Sequence, residues 1–391
     1  MKVLLVDDDQ SRCDVIRDLL LSNTEVDDQS LYVVHNALQA KDLMRNICFD
    51  FLILDVVLPL RDSKPNAKNG LDLLNAIKKR PTIKKPGKIL GITAKVDDVS
   101  SFRRQFDEHC EVLMEASNRS HSWKSKLVGA INFESVKKIS LHTSEKPIVC
   151  LSVHGIRTRG AWQQDLQRLI ESKVDNVDFQ NYKYGYFTIF SFFVPFLRNV
   201  QVNRFQKALL DLSKEKHGEE FYIFCHSFGT YIVVRAISNL IKANCNLNVS
   251  KIVLAGSVLK SSYDFTEILQ KLDVTIINDC GSDDAVLLLS EVFVPNTGMA
   301  GRIGFFGVNN NRFSNRFFLG GHSHYFDLET KFMEKNWVPV FSGDGEIQFV
   351  DRREDNLLKS EIVEKVCSFI GRFKELAYFS LIGYGLYSYM G

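Results

Sequence analysis

What this 391-residue chain lacks already excludes several classes of function. It lacks an excess of one charge: 49 Lys and Arg face 47 Asp and Glu, a net charge of +2. There is therefore no global case for nucleic acid as a partner. The one basic run, Lys78-Lys79-Arg80 followed by Lys84, Lys85 and Lys88, reads as a solvated helix end and loop. It also lacks cysteine motifs. Cys13, Cys48, Cys110, Cys150, Cys225, Cys245, Cys280 and Cys367 are scattered without CxxC spacing or a zinc-type Cys/His cluster, so the thiols are expected to be reduced and the protein cytoplasmic. No signal peptide is legible, because Met1-Lys2-Val3-Leu4-Leu5-Val6 runs straight into Asp7-Asp8-Asp9. No apolar run is long enough to cross a bilayer. The stretch Phe187 to Leu197 and the uncharged tail Leu376–Gly391 both fall short, and the tail is expected to dock on the protein's own core in preference to a membrane. Internal repeats and low-complexity tracts are absent.

What is present is a repeated alternation of short apolar runs with helical patterns, in a chain with room for two or three domains. Residues 1–120 predict strands at Val3–Val6, Leu31–Val34, Phe51–Leu54, Lys88–Ile92 and Val112–Met114, with helices such as Arg12–Leu21 and Gly70–Lys79 between them: a doubly wound five-stranded sheet. A polar stretch, 121–146, reads as a linker in which Lys124–Ile131 can form a last helix. A second α/β pattern follows over 147–375. Its strands are expected at Ile148–Val153, Val177–Tyr182, Phe221–Phe224, Lys251–Leu254 and Val274–Asn278, and its helices at Ala161–Glu171, Val202–Lys214, Phe228–Ile241 and Glu361–Glu375. Residues 376–391 form the apolar tail.

In the first half, Asp7 and Asp8 close the first strand, Asp55 the third and Thr93 the fourth. Strand carboxyl ends of a doubly wound sheet line one crevice. Three carboxylates there make an anionic site suited to Mg²⁺, a hard cation that prefers oxygen. These residues and their order resemble the response-regulator receiver family over the first 120 residues. The resemblance implies that Asp55 is a phosphoacceptor served by a partner sensor histidine kinase, that Asp7, Asp8, Asp55 and the Val57 carbonyl hold Mg²⁺, and that Thr93 is the switch hydroxyl. The chain departs from the family in two places: Glu115 falls where the family carries a lysine after the fifth strand, and the loop from Leu60 to Asn69 is longer than the family usually has. Lys95 is a candidate substitute.

In the second half, Cys225-His226-Ser227-Phe228-Gly229 follows the apolar run Phe221-Tyr222-Ile223-Phe224 and precedes a helical pattern. This is the small-x-Ser-x-small pattern of a nucleophile elbow, with Cys225 where glycine is usual. A serine nucleophile needs a base, an orienting acid and an oxyanion hole. Asp284 is the first candidate acid, with Asp283 and Asp279 behind it, and it is equally suited to cap the helix that follows. His322, after Gly320-Gly321, is preferred to His324 as base. The loop after Val153, with Gly155 and Ile156, together with the Phe228 amide, is the expected oxyanion hole. His226 is expected to pack beside that oxyanion loop. Residues 187–197, Gly304-Phe305-Phe306-Gly307 and Phe317-Phe318 are candidates for an apolar acyl wall as well as for core.

Together these features resemble the α/β-hydrolase family of lipase and esterase type, from about Pro147 to Phe373, with no cofactor in that domain. The fold expected is α/β throughout: two doubly wound domains, a flavodoxin-like receiver and an α/β-hydrolase. The function expected is a response regulator whose output is a serine hydrolase for an ester, thioester or lipid-like acyl substrate, gated by the receiver. Homodimerisation is one way such gating works. The architecture resembles the effectors of anti-phage two-component systems. The alternative from another class is a non-enzymatic docking protein with a degenerate hydrolase domain.

Overall fold

The structure is a computed structural model. It describes residues 1–61, 63–80, 82–94, 112–116, 122–137, 147–156, 161–183, 188–307, 312–341, 349–353, 357–380 and 388. The chain divides into two compact units, Met1–His142 with Phe306–Asn311, and Thr143–Phe305 with Arg312–Gly391.

The first unit is a parallel sheet of β1 (Val3–Val6), β2 (Leu31–Val34), β3 (Phe51–Asp55), β4 (Lys88–Thr93) and β5 (Val112–Glu115), in the order β2-β1-β3-β4-β5. This is the flavodoxin-like doubly wound order. β1 and β3 are buried along their whole length, which is why they read as unbroken apolar runs. Helices Gln10–Asn23, Ala37–Asn46, Ala67–Lys79 and Ser122–Lys137 complete the unit. The last of these occupies most of the stretch read as a linker, and Asn132 Nδ2 donates to the Asn23 carbonyl at 2.9 Å. Gly70 lets the helix Ala67–Lys79 touch the chain just past β3, since a Cβ there would lie 2.3 Å from the Val56 carbonyl oxygen. One expectation is corrected. Lys84 and Lys85 are buried, not solvated. The Lys84 ammonium donates to the Asn46 carbonyl at 3.1 Å, so its aliphatic stem covers apolar surface while its charge is met by backbone.

The second unit is a six-stranded parallel sheet in the order β11-β10-β9-β8-β6-β7. Its strands are β6 (Ile148–Val153), β7 (Val177–Tyr182), β8 (Glu220–His226), β9 (Val249–Ala255), β10 (Thr275–Gly281) and β11 (Phe313–Phe318). The helix Phe228–Lys242 directly follows β8 and is largely buried, with apolar clusters on both faces of the sheet. β11 was not anticipated, and Phe317, Phe318 and Phe305 are core residues, not an acyl wall. The polar residues of Phe313-Ser314-Asn315-Arg316-Phe317-Phe318 hid the strand. Two of them are satisfied inside it: Asn278 Nδ2 donates to Asn315 Oδ1 at 2.9 Å, and Arg316 forms a two-pronged ion pair with Asp279. The helix expected from Val202 starts seven residues earlier, with Pro195 in its first turn, where a missing N–H costs nothing. The C-terminal helix is Leu357–Gly371, and residues 374–380 are helical again. Leu376 and Phe379 are exposed, so this part of the tail does not dock on the core; residues 381–387 and 389–391 lie outside the described residues. No helix among the described residues is long and apolar enough to cross a membrane.

Candidate active site

The chain leaves β8 at His226 and turns at Ser227 with φ +54° and ψ −123°. A β-carbon-bearing residue at positive φ is strained by about 1–3 kcal/mol, so the surroundings must hold it there. The Ser227 N–H donates to the Ala255 carbonyl at 2.9 Å. The Thr230 hydroxyl donates to the Ser227 carbonyl at 2.7 Å. Gly229 is fixed by space: a Cβ there would sit 2.5 Å from the Val153 carbonyl oxygen. Cys225 fits where glycine was expected, buried, with its thiol donating to the Val253 carbonyl at 3.4 Å. Burial pushes that thiol well above its ordinary range, which keeps it a neutral core group.

Ser227 makes no side-chain helix cap. Its Oγ lies 2.9 Å from His322 Nε2, and His322 Nδ1 lies 2.7 Å from Asp284 Oδ2. With Asp284 ionised, Nδ1–H donates to the carboxylate and Nε2 is left to accept the Ser227 hydroxyl proton. Asp284 is fully buried and also accepts the Leu287 N–H through Oδ1 at 3.1 Å. It is therefore both helix cap and histidine partner. Of the other two candidate acids, Asp283 is exposed. Asp279 is committed to Arg316 and to the Trp337 indole N–H, at 2.8 Å. His324 turns away from Ser227. Its Nδ1 donates to the Gly321 carbonyl at 2.7 Å, its ring packs at a tilt on Tyr325 with centroids 3.9 Å apart, and burial lowers its pKa. Gly320, at φ +143°, makes room for that ring: a Cβ there would lie 2.5 Å from His324 Cγ.

Gly155 ends up against the serine, where a Cβ would come within 2.7 Å of Ser227 Cβ and 3.2 Å of its Oγ. Ile156 is half-buried beside it. The Phe228 amide heads the helix after Ser227, and the Phe228 ring packs edge-on against Phe192 at 5.1 Å. Residues 157–160 of the same loop lie outside the described residues, as does Phe187. In the stretch that follows, Phe192 is core, while Phe193 and Phe196 are exposed.

The contacts that three residues make around His322 were not read from sequence. His226 does not pack against the oxyanion loop alone; its buried Nε2–H donates to the His322 carbonyl at 2.8 Å, and its ring lies 4.7 Å from the His322 ring. Burial holds its pKa well below the usual histidine range. Tyr325 donates to the Asp279 carbonyl at 3.0 Å and accepts the Gly256 N–H at 3.1 Å, tying β10 to β9. Gly256, at φ +56°, faces the His322 ring, and a Cβ would lie 3.3 Å from it. A lone glycine after a strand was the only trace of this in the sequence.

The first unit holds a separate acidic cluster. Asp7, Asp8 and Asp55 each offer an oxygen, all within 4.8 Å of one another. Asp7 and Asp55 are buried and Asp8 is exposed. Burial, aided by Asp7, lifts Asp55 to about 7 against the lowering effect of Arg12. The Arg12 guanidinium donates to Asp7 at 2.5 and 2.7 Å and reaches Asp55 as well. The Val57 N–H donates to Asp55 Oδ1 at 3.0 Å. Thr93 is buried at the end of β4, in register with Glu115 of β5. The Glu115 side chain and Lys95 lie outside the described residues.

No protein-family profile matches the chain. It is 27% identical over 138 residues to the uncharacterized protein y4jS of Sinorhizobium fredii, which covers 34% of this chain and 32% of that protein. The chain thus spans about a third of the length of this curated relative. Among solved structures, the product of gene lin2722 from Listeria innocua aligns with TM-score 0.34 and 10% identity, over 49% of this chain and 93% of that one. The RedJ thioesterase of the prodiginine pathway in Streptomyces coelicolor aligns with TM-score 0.31 and 11% identity, over 51% of this chain and 87% of that one.

Proposed function

We propose that the second unit is a serine hydrolase acting on an apolar acyl ester or thioester. The observation that carries the reading is the chain of contacts from Ser227 Oγ through His322 to Asp284, at 2.9 and 2.7 Å. Ser227 Oγ attacks the acyl carbonyl carbon while His322 Nε2 takes the hydroxyl proton. Asp284 stays ionised and stabilises the imidazolium. The negative charge on the former carbonyl oxygen is met by the Phe228 amide and an amide of Gly155 or Ile156, each such donor being worth about 3 kcal/mol. His322 returns its proton to the leaving alcohol or thiol as the carbon–oxygen or carbon–sulfur bond breaks. Water, deprotonated by the same nitrogen, then hydrolyses the acyl-serine. The exposed Phe193 and Phe196 beside Phe192 favour an apolar acyl group.

The first unit we read as a receiver that gates this site. Its three carboxylates suit Mg²⁺, which Asp7, Asp8 and Asp55 would hold with the Val57 carbonyl, once the Arg12 guanidinium yields its place. The ion, when bound, supplies charge neutralisation for an incoming phosphoryl group. Asp55 would form the acyl phosphate by attack on phosphorus, the donor's leaving group departing with the bonding pair, and Thr93 would hydrogen-bond the product. The donor would be a sensor histidine kinase, and the location cytoplasmic. An effector role in anti-phage signalling rests on architecture alone.

The test is labelling by a fluorophosphonate probe. The full chain should label fast and Ser227→Ala not at all, with hydrolysis of p-nitrophenyl esters lost on the order of 10⁴-fold or more. Absence of labelling in the wild type would move the reading to a docking protein with a degenerate hydrolase domain. Gating is tested by acetyl phosphate: the full chain's rate should change with it, and that of the Asp55→Ala variant should not.

A further inference from the structure

The helix Leu357–Gly371 and the turns after it sit on their unit with their polarity reversed. Three of their charged side chains point inward. Glu361, Glu364 and Lys374 are only 7%, 6% and 8% exposed. Glu364 accepts from the buried Arg302 guanidinium at 2.8 Å. The Lys374 ammonium donates to the carbonyls of Ser290, Glu291 and Thr297 at 3.4, 2.5 and 2.7 Å. It thereby ties down the end of the neighbouring helix, Ala285–Phe293, where a cation is favoured. Gly371 brings the two segments into backbone contact, since a Cβ there would lie 2.6 Å from the Glu291 carbonyl oxygen.

The apolar side chains point outward. Ile362, Val366, Phe369, Phe373 and Leu376 are between 51% and 69% exposed. Leu289 and Phe293 of the adjoining helix, 60% and 58% exposed, widen the same face. A helix on the surface of a monomer does the opposite: it buries its apolar stripe and leaves its charges in water. A contiguous apolar face of this size marks an interaction surface.

We propose that a second copy of this chain covers this face, packing its own Ile362–Leu376 stripe against the first about a two-fold axis. Within the helix the stripe advances by four and then three residues, from Ile362 to Val366 to Phe369, the spacing of a helix–helix seam, and Phe373 and Leu376 follow past the turn after Gly371. Each half-exposed large side chain offers roughly 100 Å², so the seven on this face present on the order of 700 Å² per copy, close to the roughly 800 Å² per partner of a stable interface. Its charges are few and marginal, as at the centre of a homodimer interface. Lys365 is met by Glu361 at 2.7 Å and the exposed Lys260 by Glu375 at 2.8 Å, and with Arg372 these make three exposed cations along this side among the described residues. That falls short of the cluster of about four or more cations that holds a protein to an anionic bilayer. An isologous contact needs no second surface, because the face meets itself.

The test is the mass of the full chain in solution by light scattering at micromolar concentration. The wild type should have the mass of two chains. Phe369→Glu with Phe373→Glu should halve it, with an unchanged far-ultraviolet circular dichroism spectrum. Val366→Cys should give a reducible covalent dimer on mild oxidation. A monomeric wild type overturns the proposal. So does a dimer that persists in the double-glutamate variant, or a Val366→Cys chain that stays monomeric on oxidation. A monomeric wild type that co-sediments with vesicles of phosphatidylcholine and phosphatidylglycerol would assign the face to a bilayer instead.

Discussion

Asp284 divides its carboxylate between His322 and the helix it starts. Oδ2 lies 2.7 Å from His322 Nδ1, and Oδ1 accepts the Leu287 N–H at 3.1 Å. The histidine's orientation is therefore fixed to a helix terminus in the buried part of the unit, not to a mobile surface acid.

Asp284→Asn should separate the two roles. The amide oxygen can still cap the helix, so melting should change little. The amide N–H₂ facing His322 favours the wrong tautomer, and kcat should fall on the order of 10⁴-fold. Asp284→Ala should lose the same activity and about 1 kcal/mol of stability in addition. Asp283→Asn should leave both unchanged. Ester turnover with thermal melting of the three variants checks this.

His322→Ala should match Ser227→Ala in lost turnover, because base and nucleophile act as one unit. His324→Ala should keep turnover within about tenfold of wild type and lower stability, since its ring fills space against Gly320 and Tyr325. Fluorophosphonate labelling rates decide it; the reverse pattern would make His324 the base.

Gly256→Ala should cost activity out of proportion to stability. An added Cβ at φ +56° costs about 1–2 kcal/mol. The same Cβ presses on the His322 ring from 3.3 Å, and small displacements of a base are felt strongly. A kcat reduced by roughly 100-fold in a folded protein is expected, measured beside the far-ultraviolet spectrum.

His226 should make the unit acid-sensitive. Burial, with His322 next, lowers its pKa in the folded state, so below about pH 6.5 the unfolded chain binds a proton that the folded one refuses. Stability is then lost as pH falls through that value, by up to about 1.4 kcal/mol per pH unit from this group. His226→Gln keeps a donor for the His322 carbonyl and removes the titration. Its melting temperature should fall less than that of the wild type between pH 7 and pH 5.

Arg12→Ala should raise the affinity of the first unit for Mg²⁺. The guanidinium now occupies the space between Asp7 and Asp55, and an ion must displace it. Isothermal titration with Mg²⁺ should show tighter binding in the variant and none in Asp55→Ala. Equal affinities for wild type and Arg12→Ala would place Arg12 outside the competition.

The sequence by itself determined the two doubly wound sheets, because strands buried on both faces, such as β1, β3 and β8, read as unbroken apolar runs with helical patterns between them. It also marked the elbow, because a strand, a small residue and a serine are neighbours in the chain. Tertiary structure alone decided what depends on distant segments meeting. Asp284, and not Asp279, meets His322, because Arg316 and Trp337 claim Asp279. His322, and not His324, meets Ser227, because the loop turns one ring toward Ser227 and the other onto Tyr325. β11 was hidden because its Asn315 and Arg316 are satisfied only by Asn278 and Asp279 of the next strand. The C-terminal helix was legible as a helix but not in its orientation. Periodicity shows that one face is apolar, and only the buried partners of Glu364 and Lys374 show that this face points outward.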